Sequence, residues 1–291
     1  MPNLKEVRNR ITSVGSTMQI TSAMKMVSAA KLKRAQDAIL QMRPYANKLK
    51  EILENVSSSV DASDNVYARK STGKNILIVS VSSNRGLAGA FNSSIIKKTW
   101  SLIHNDYQGF NVTVLPVGKK VQDAFKRTNY IIKGTDLPSS GNDLFDQLSY
   151  TKTAPFAEAI MLAFANKQFD KVVLVYNQFK NAAVQIAMDE QFLPIAPSQN
   201  ASSLKSDYEF EPSKEFIVND LIPRSLKTQL YKALLDSFAS EHGARMTAMH
   251  KATDNAKAMQ KELKITYNKA RQAAITKEIL EIVAGAEALN G

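Results

Sequence analysis

One run of residues limits what this chain can fold into. From about Ser213 to Asn290 the sequence reads as helix, with apolar or small residues at His242, Met246, Met249, Ala252, Ala256, Met259, Leu263, Tyr267, Ala270 and Ala274. Steps of three and four are the seam of a coiled coil rather than the broad face of a globular helix. At 1.5 Å per residue the run makes a rod on the order of 100 Å long, so the pattern predicts a helix that leaves its own core. Its last stretch, ITKEILEIVAGAEALNG, places Ile275, Ile279, Leu280, Ile282, Val283, Ala284, Ala286 and Leu289 around most of the circumference. A helix apolar nearly all round asks for burial on every side. The stretch either tucks into its own core or is gripped by another molecule. The polar rod before it favours the second.

A second rod stands at the other end. Leu4, Val7, Ile11, Val14 and Met18 share one heptad register with Leu32, Ala35, Ile39, Met42, Ala46, Leu49, Leu53 and Val56. Between them the seam turns polar at Thr21, Lys25 and Ser28, with Met24 and Val27 off it. Such an interval either weakens the pairing or faces something other than the partner helix. Pro44 removes one helical hydrogen bond; because the register survives it, a bend is expected rather than a break. Two seamed helices flanking a compact segment suggest antiparallel partners, with the longer one running on unpaired.

The compact segment follows a Ser- and Asp-rich linker, residues 56–74. Strands are expected at 75–82, 111–117, 130–133, 171–176 and 182–188, the last two as a hairpin, and helices at 93–104, 119–127 and 154–167. The alternation argues for a mostly parallel α/β sheet. Residues 197–213 read as a polar loop.

Composition removes several classes of function. With no cysteine among 291 residues there is no disulfide framework, thiolate nucleophile or thiolate metal site. His104, His242 and His250 are too scattered for a His-based metal site. No apolar run reaches the ~18 residues that a membrane span needs, and MPNLKEVRNR lacks the apolar core of a signal peptide. Residues 1–50 carry ten Lys/Arg against Glu6 and Asp37, most of the net +11. A basic arm of this kind suits nucleic acid, an anionic membrane or an acidic protein surface, and charge alone does not choose.

The loop Asn84-Arg85-Gly86-Leu87-Ala88-Gly89 sits where α/β folds hold phosphate, between a strand and a helix. Its spacing matches neither phosphate-binding fingerprint, and a tight turn needing positive φ is the plainer reading. Arg245, Arg271 and Glu278 read from pattern alone as solvated helix-face charges. Two functional readings compete on these residues: a basic coiled-coil arm for nucleic acid, and a nucleotide-using α/β enzyme with a coiled-coil insertion.

Both give way to a resemblance. ITKEILEIVAGAEAL, ASEHGARMTAMHKATDNA and YNKARQAAIT resemble the C-terminal signature of the gamma subunit of F-type ATP synthases. MPNLKEVRNRITSV and QITSAMKMVSAAKLKRAQ resemble the family's first helix, and SSNRGLAGAFN and SDYEFEP its central motifs. The resemblance implies an antiparallel coiled coil (residues 1–57 and 213–291) on a central Rossmann-like α/β domain (residues 74–197). It implies a non-catalytic rotor shaft without cofactors or metals. The partners are three α and three β subunits, the epsilon subunit and the c-subunit ring, with no nucleic acid. Carried over by motif, Met24, Lys25, Arg245, Gln272, Thr276 and Glu278 face the β subunits or couple to them. Ile275, Ile279, Ile282, Val283 and Leu289 turn in an apolar sleeve. Arg43, Tyr45, Tyr208 and Glu211 belong to the foot near the c ring and epsilon. The lack of cysteine and of a transit peptide points to a bacterial form, peripheral on the cytoplasmic side of the inner membrane.

Overall fold

The computed structural model describes residues 3–59, 66–69, 71, 73–134, 137–195 and 220–290, so Tyr208 and Glu211 lie outside the described residues. Its helices are α1 (Leu4–Ser59), α2 (Phe91–Ser101), α3 (Lys119–Phe125), α4 (Tyr150–Ala165) and α5 (Ile222–Asn290). Its strands are β1 (Asn75–Val81), β2 (Asn111–Val117), β3 (Lys171–Phe179) and β4 (Gln185–Leu193). The chain forms two compact units. A coiled-coil unit takes Met1–Ser28 with Met246–Gly291, and a sheet unit takes Ala29–Arg245.

In the coiled-coil unit the helices run antiparallel: Thr21 meets Thr253, and Gly15 lies against Gln260. The α1 seam there is the expected one, with Leu4, Ile11, Val14 and Met18 half-buried and Val7 buried. The polar interval corrects one expectation. It neither opens nor turns away, because Thr21 and Ser28 are buried and the Thr21 and Thr253 hydroxyls are 2.8 Å apart. Hydroxyls that pair with each other, or with a carbonyl four residues back as Thr253 does with Met249, satisfy their polarity inside a helical seam. On α5 the covered stripe is Met249, Thr253, Ala256, Gln260, Leu263, Tyr267 and Ala270. Met259 and Ala274 are therefore off the seam: Met259 is exposed, and Gln260 takes its place beside Gly15. A Cβ on Gly15 would stand 3.0 Å from the Gln260 amide, so glycine admits this polar knob.

The sheet unit is built on β1, whose β-branched run buries alternate residues on opposite faces. Leu77, Val79 and Val81 pack with α4 and the first turns of α5, through Phe156, Ile160, Phe164, Leu226, Leu230 and Leu234. Ile76 and Ile78 pack on the other face with Ile95 of α2 and Val121 and Phe125 of α3. Strand order is β2-β1-β3-β4. β1 is parallel to both β2 and β3, and β3–β4 is the expected antiparallel hairpin. The expected strand at 130–133 reduces to one parallel bridge, Val114 to Ile131, among the described residues. α2 begins at Phe91, two residues earlier than the pattern suggests, and passes into a π-helical turn at Leu102–Asp106. α1 remains helical through Pro44. Beyond Ala29 its buried residues, Leu32, Ala35, Ile39, Ala46 and Leu49, keep the predicted register.

Candidate functional site

The strand order reverses its direction of growth between β1 and β3, and the crevice at their carboxyl ends is where open α/β sheets hold ligands. Here the chain's own helix fills it. Ser240 of α5 donates to the Asn177 carbonyl at 3.0 Å, and the Asn177 amide donates to the Phe91 carbonyl at 3.1 Å. Gly243 passes so close that a Cβ there would be 3.2 Å from Ala182 Cα. Ala244 packs on Ala88 and Phe91. The backbone donors at the start of α3 are also spent internally. Gly118 N donates to Asn142 Oδ1 (3.0 Å), Lys119 N to Asn84 Oδ1 (3.1 Å) and Val121 N to Ser82 Oγ (3.0 Å). A phosphate at the start of α3 would find these amides already paired.

That turn carries a surprise. Its positive φ falls on Leu87 (φ 62) as well as on Gly89 (φ 56), and a leucine there costs on the order of 1–2 kcal/mol. The Leu87 side chain is 66% exposed, so packing does not offset the cost. The offset comes from the loop carbonyls. Ser83 Oγ donates to the Arg85 carbonyl. The Arg245 guanidinium donates to the Gly86 carbonyl through Nε (3.4 Å) and Nη2 (3.3 Å), and to the Arg85 carbonyl through Nη2 (3.3 Å). Nη1 of Arg245 pairs with Glu241 Oε1 at 2.7 Å and faces His242 Nδ1 at 3.4 Å. Arg245 is thus not a solvated face charge, its side chain being 7% exposed. Arg271 and Glu278 are exposed.

Burial governs the ionisable groups here. It pushes the Glu241 carboxyl above its ordinary range, against the pull of Arg245, Lys31 and Arg85. It pushes His242 down to about 3, helped by the positive charges of Arg245 and Lys31. His242 therefore stays neutral, edge-on to Phe238 at 4.5 Å. Its Nε2 finds no hydrogen-bond partner among the described residues. The sequence carried one trace of this cluster, a Glu and an Arg four apart on the helix. Nothing in a single sequence distinguishes such a pair buried from the same pair in solvent.

The remaining predicted residues fall into separate places. Met24 and Lys25 are half-buried on α1 in the coiled-coil unit, beside exposed Ile20, Met26 and Val27. Gln272, Thr276 and Glu278 are exposed on α5, and the Thr276 hydroxyl donates to the Gln272 carbonyl at 3.0 Å. Since Thr253 is the residue that meets Thr21 and the helices run antiparallel, Gln272 lies about 34 Å farther along the helix than the Met24–Lys25 level. Every described residue from Ala274 to Ala288 is exposed, including Ile275, Ile279, Leu280, Ile282 and Val283. The Leu289 side chain lies outside the described residues. In the sheet unit Arg43 donates to Asp236 Oδ1 at 2.9 Å and to the Phe179 carbonyl at 3.0 Å. Burial raises the Asp236 carboxyl, and Arg43 opposes that. Exposed Tyr45 lines a groove with Met42, Tyr150, Tyr231 and Arg224.

Comparison with known proteins gives one consistent result. The ATP synthase family model described as ATP-synt matches residues 3–289. The chain is 57% identical to the ATP synthase gamma chain of Christiangramia forsetii over 292 residues, covering 100% of both. It is equally, 57%, identical to that of Flavobacterium johnsoniae, again over 100% of both. Among solved structures it is similar to a chain of the central stalk and c ring of the Tetrahymena thermophila mitochondrial ATP synthase (TM-score 0.59, 28% identity, 80% of this chain and 99% of that one). It shares its fold with a chain of the Euglena gracilis mitochondrial enzyme (TM-score 0.66, 20% identity, 98% of this chain and 94% of that one).

Proposed function

This chain belongs to the gamma-chain family of ATP synthases, and from that premise we propose how its surfaces divide the work of the complex. It is the central shaft of an F-type ATP synthase, coupling ion flow through the membrane ring to ATP synthesis and hydrolysis, and is itself non-catalytic. Bonds are made and broken on the β subunits. The shaft acts by offering them different contacts at different angles, because only differential contacts shift a conformational equilibrium. Its partners are the α and β subunits of the head, epsilon and the c ring. The comparisons lend no support to a nucleic-acid partner, and the basic first helix is read as facing acidic protein surface. No described helix is long and apolar enough to cross a membrane, in keeping with peripheral attachment through the complex. We place it on the cytoplasmic side of a bacterial inner membrane.

The observation that carries the division of surfaces is the bare apolar run from Ile275 to Val283, five large apolar side chains within nine residues, where the seamed stretch before it bares Met259 and Ile265. Water is a poor medium for such a run, at roughly 25 cal/mol per Å² of apolar area. An apolar sleeve formed by the head relieves that cost without fixing the angle of the shaft. Ile275, Ile279, Ile282, Val283 and Leu289 fill the sleeve in this reading. Gln272, Thr276, Glu278, Met24 and Lys25 meet the β subunits, and Arg43, Tyr45, Tyr208 and Glu211 serve the foot. The test is reconstitution with purified α and β subunits, with and without residues 275–291. A full-length chain that co-purifies as one gamma per three α–β pairs and stimulates ATP hydrolysis supports the reading. A full-length chain that does not associate with well-folded α and β ends it.

A further inference from the structure

We propose that Arg245 is a positioning residue whose contribution to coupling passes through the 84–90 loop. It holds Arg85 and Leu87 in the form that meets the acidic surface of the head, while its own side chain touches no other subunit. The inference rests on the shaft reading above and departs from its expectation that Arg245 itself faces a β subunit.

The donor inventory carries it. A guanidinium has five N–H groups and no acceptor. Here Nε serves the Gly86 carbonyl, Nη2 the Arg85 and Gly86 carbonyls, and Nη1 Glu241 and His242. Each of the three guanidinium nitrogens has a partner inside the chain, on a side chain almost wholly buried, so the group is turned inward. What Arg245 holds is exposed: Leu87, and Arg85 beside it. The loop is anchored at its far end, where Ala88 and Phe91 pack on Ala244 of the same helix. The clamp on the carbonyls holds Leu87 at positive φ and leaves its side chain in water, presented to whatever surface meets the loop. The rim is cationic: Arg85 and Lys119 are exposed and Lys120 half-buried, with the Lys120 side chain reaching to 3.9 Å from where a Gly86 Cβ would be. That charge selects an acidic protein surface.

A mutant cycle in the reconstituted α–β–gamma complex separates action through the loop from direct contact. Its arms are Arg245→Lys, the pair Arg85→Ala with Leu87→Ala, and all three together; the readout is the rate of ATP hydrolysis. Lysine keeps the charge but cannot span two carbonyls. Arg245→Lys and the loop pair are each expected to cost ~10-fold, and the triple variant no more than ~2-fold beyond the loop pair, because residues acting as one unit are not additive. A triple variant ~100-fold down, the product of two independent losses, overturns the inference. Amide hydrogen exchange on the assembled Arg245→Lys complex supplies the second reading. Protection should fall at residues 84–90 and hold at β1 and β3. Unchanged loop protection, or loss spread over β1 and β3, overturns the inference as well. Failure of the unaltered chain to assemble removes the shaft reading and takes this inference with it. Assembly with additive losses removes only the inference.

Discussion

Helix α5 has two ends that invert the ordinary rule of burial. From Ile222 to Arg245 it is covered on most sides, and the covered residues include Asp236, Ser237, Ser240, Glu241, His242 and Arg245. From Ala274 to Ala288 it is bare, and the bare residues include Ile275, Ile279, Leu280, Ile282 and Val283. Charge lies inside at one end and hydrocarbon outside at the other. The buried charges are tolerable because partners are built in, Glu241 for Arg245 and Arg43 for Asp236. The bare hydrocarbon has no such partner within the described chain. The difference teaches that folding covers the first stretch and leaves the second open.

The contrast is open to attack, most forcefully at the buried pair. Glu241→Ala leaves the Arg245 charge uncompensated and is expected to destabilise the sheet unit by ~3–5 kcal/mol, read as a fall in the urea midpoint of the full chain. A loss near that of an exposed ion pair would mean the stretch is wetter than its burial indicates. Next comes pH. The His242 pKa in the folded chain is depressed to about 3, below its unfolded value, so its contribution to stability is lost as pH falls below the ordinary histidine range. Between pH 6.5 and 5 the loss approaches ~2 kcal/mol. Native-state hydrogen exchange of α5 around Glu241, compared with His242→Leu, should show the pH sensitivity only with histidine present. Glu241 runs the other way, its raised pKa favouring the folded chain toward acid, so its effect appears as residual pH dependence of opposite sign in the leucine variant.

A smaller effect is expected in the coiled-coil seam. Thr21→Val leaves the Thr253 hydroxyl without its cross-helix partner, and should cost ~1 kcal/mol in a denaturant series. The double change Thr21→Val with Thr253→Val should recover most of that loss. The smallest is at the bare end. Ile282→Ser is expected to move the chain's own stability by less than ~0.5 kcal/mol, while weakening capture by the α and β subunits in a pull-down. A large loss of stability there would show that the chain covers its own end.

Much of this was legible in the sequence, for identifiable reasons. The α1 seam from Leu4 to Leu49 holds position by position, because a coiled coil writes its geometry in one period. The strand core around Leu77 and Val173 was legible because a run of β-branched residues fits little else. The seam of α5 slipped at Met259, where apolarity pointed to the wrong residue. Gln260 wins the place because Gly15 opposite makes room for it, and that depends on a residue far away in the chain. Arg245 was legible as a family motif position but not as a buried clamp. Burial of a charge is decided by the loop at Arg85 and Gly86, again far off in sequence. At Ile275–Val283 the all-round apolar pattern was legible and asked for burial; that the chain itself does not supply that burial is what the structure adds.

The bare end of α5 also sets how the subunit behaves when alone. A patch of isoleucine, leucine and valine kept wet is a surface open to a second copy of the chain. The free chain should therefore self-associate in a concentration-dependent way. Excluded salts such as sulfate should drive that association and mild detergent should reverse it. Supply of the subunit is then a matter of stoichiometry: each molecule made in excess of the head carries an adhesive surface with nothing designed to cover it.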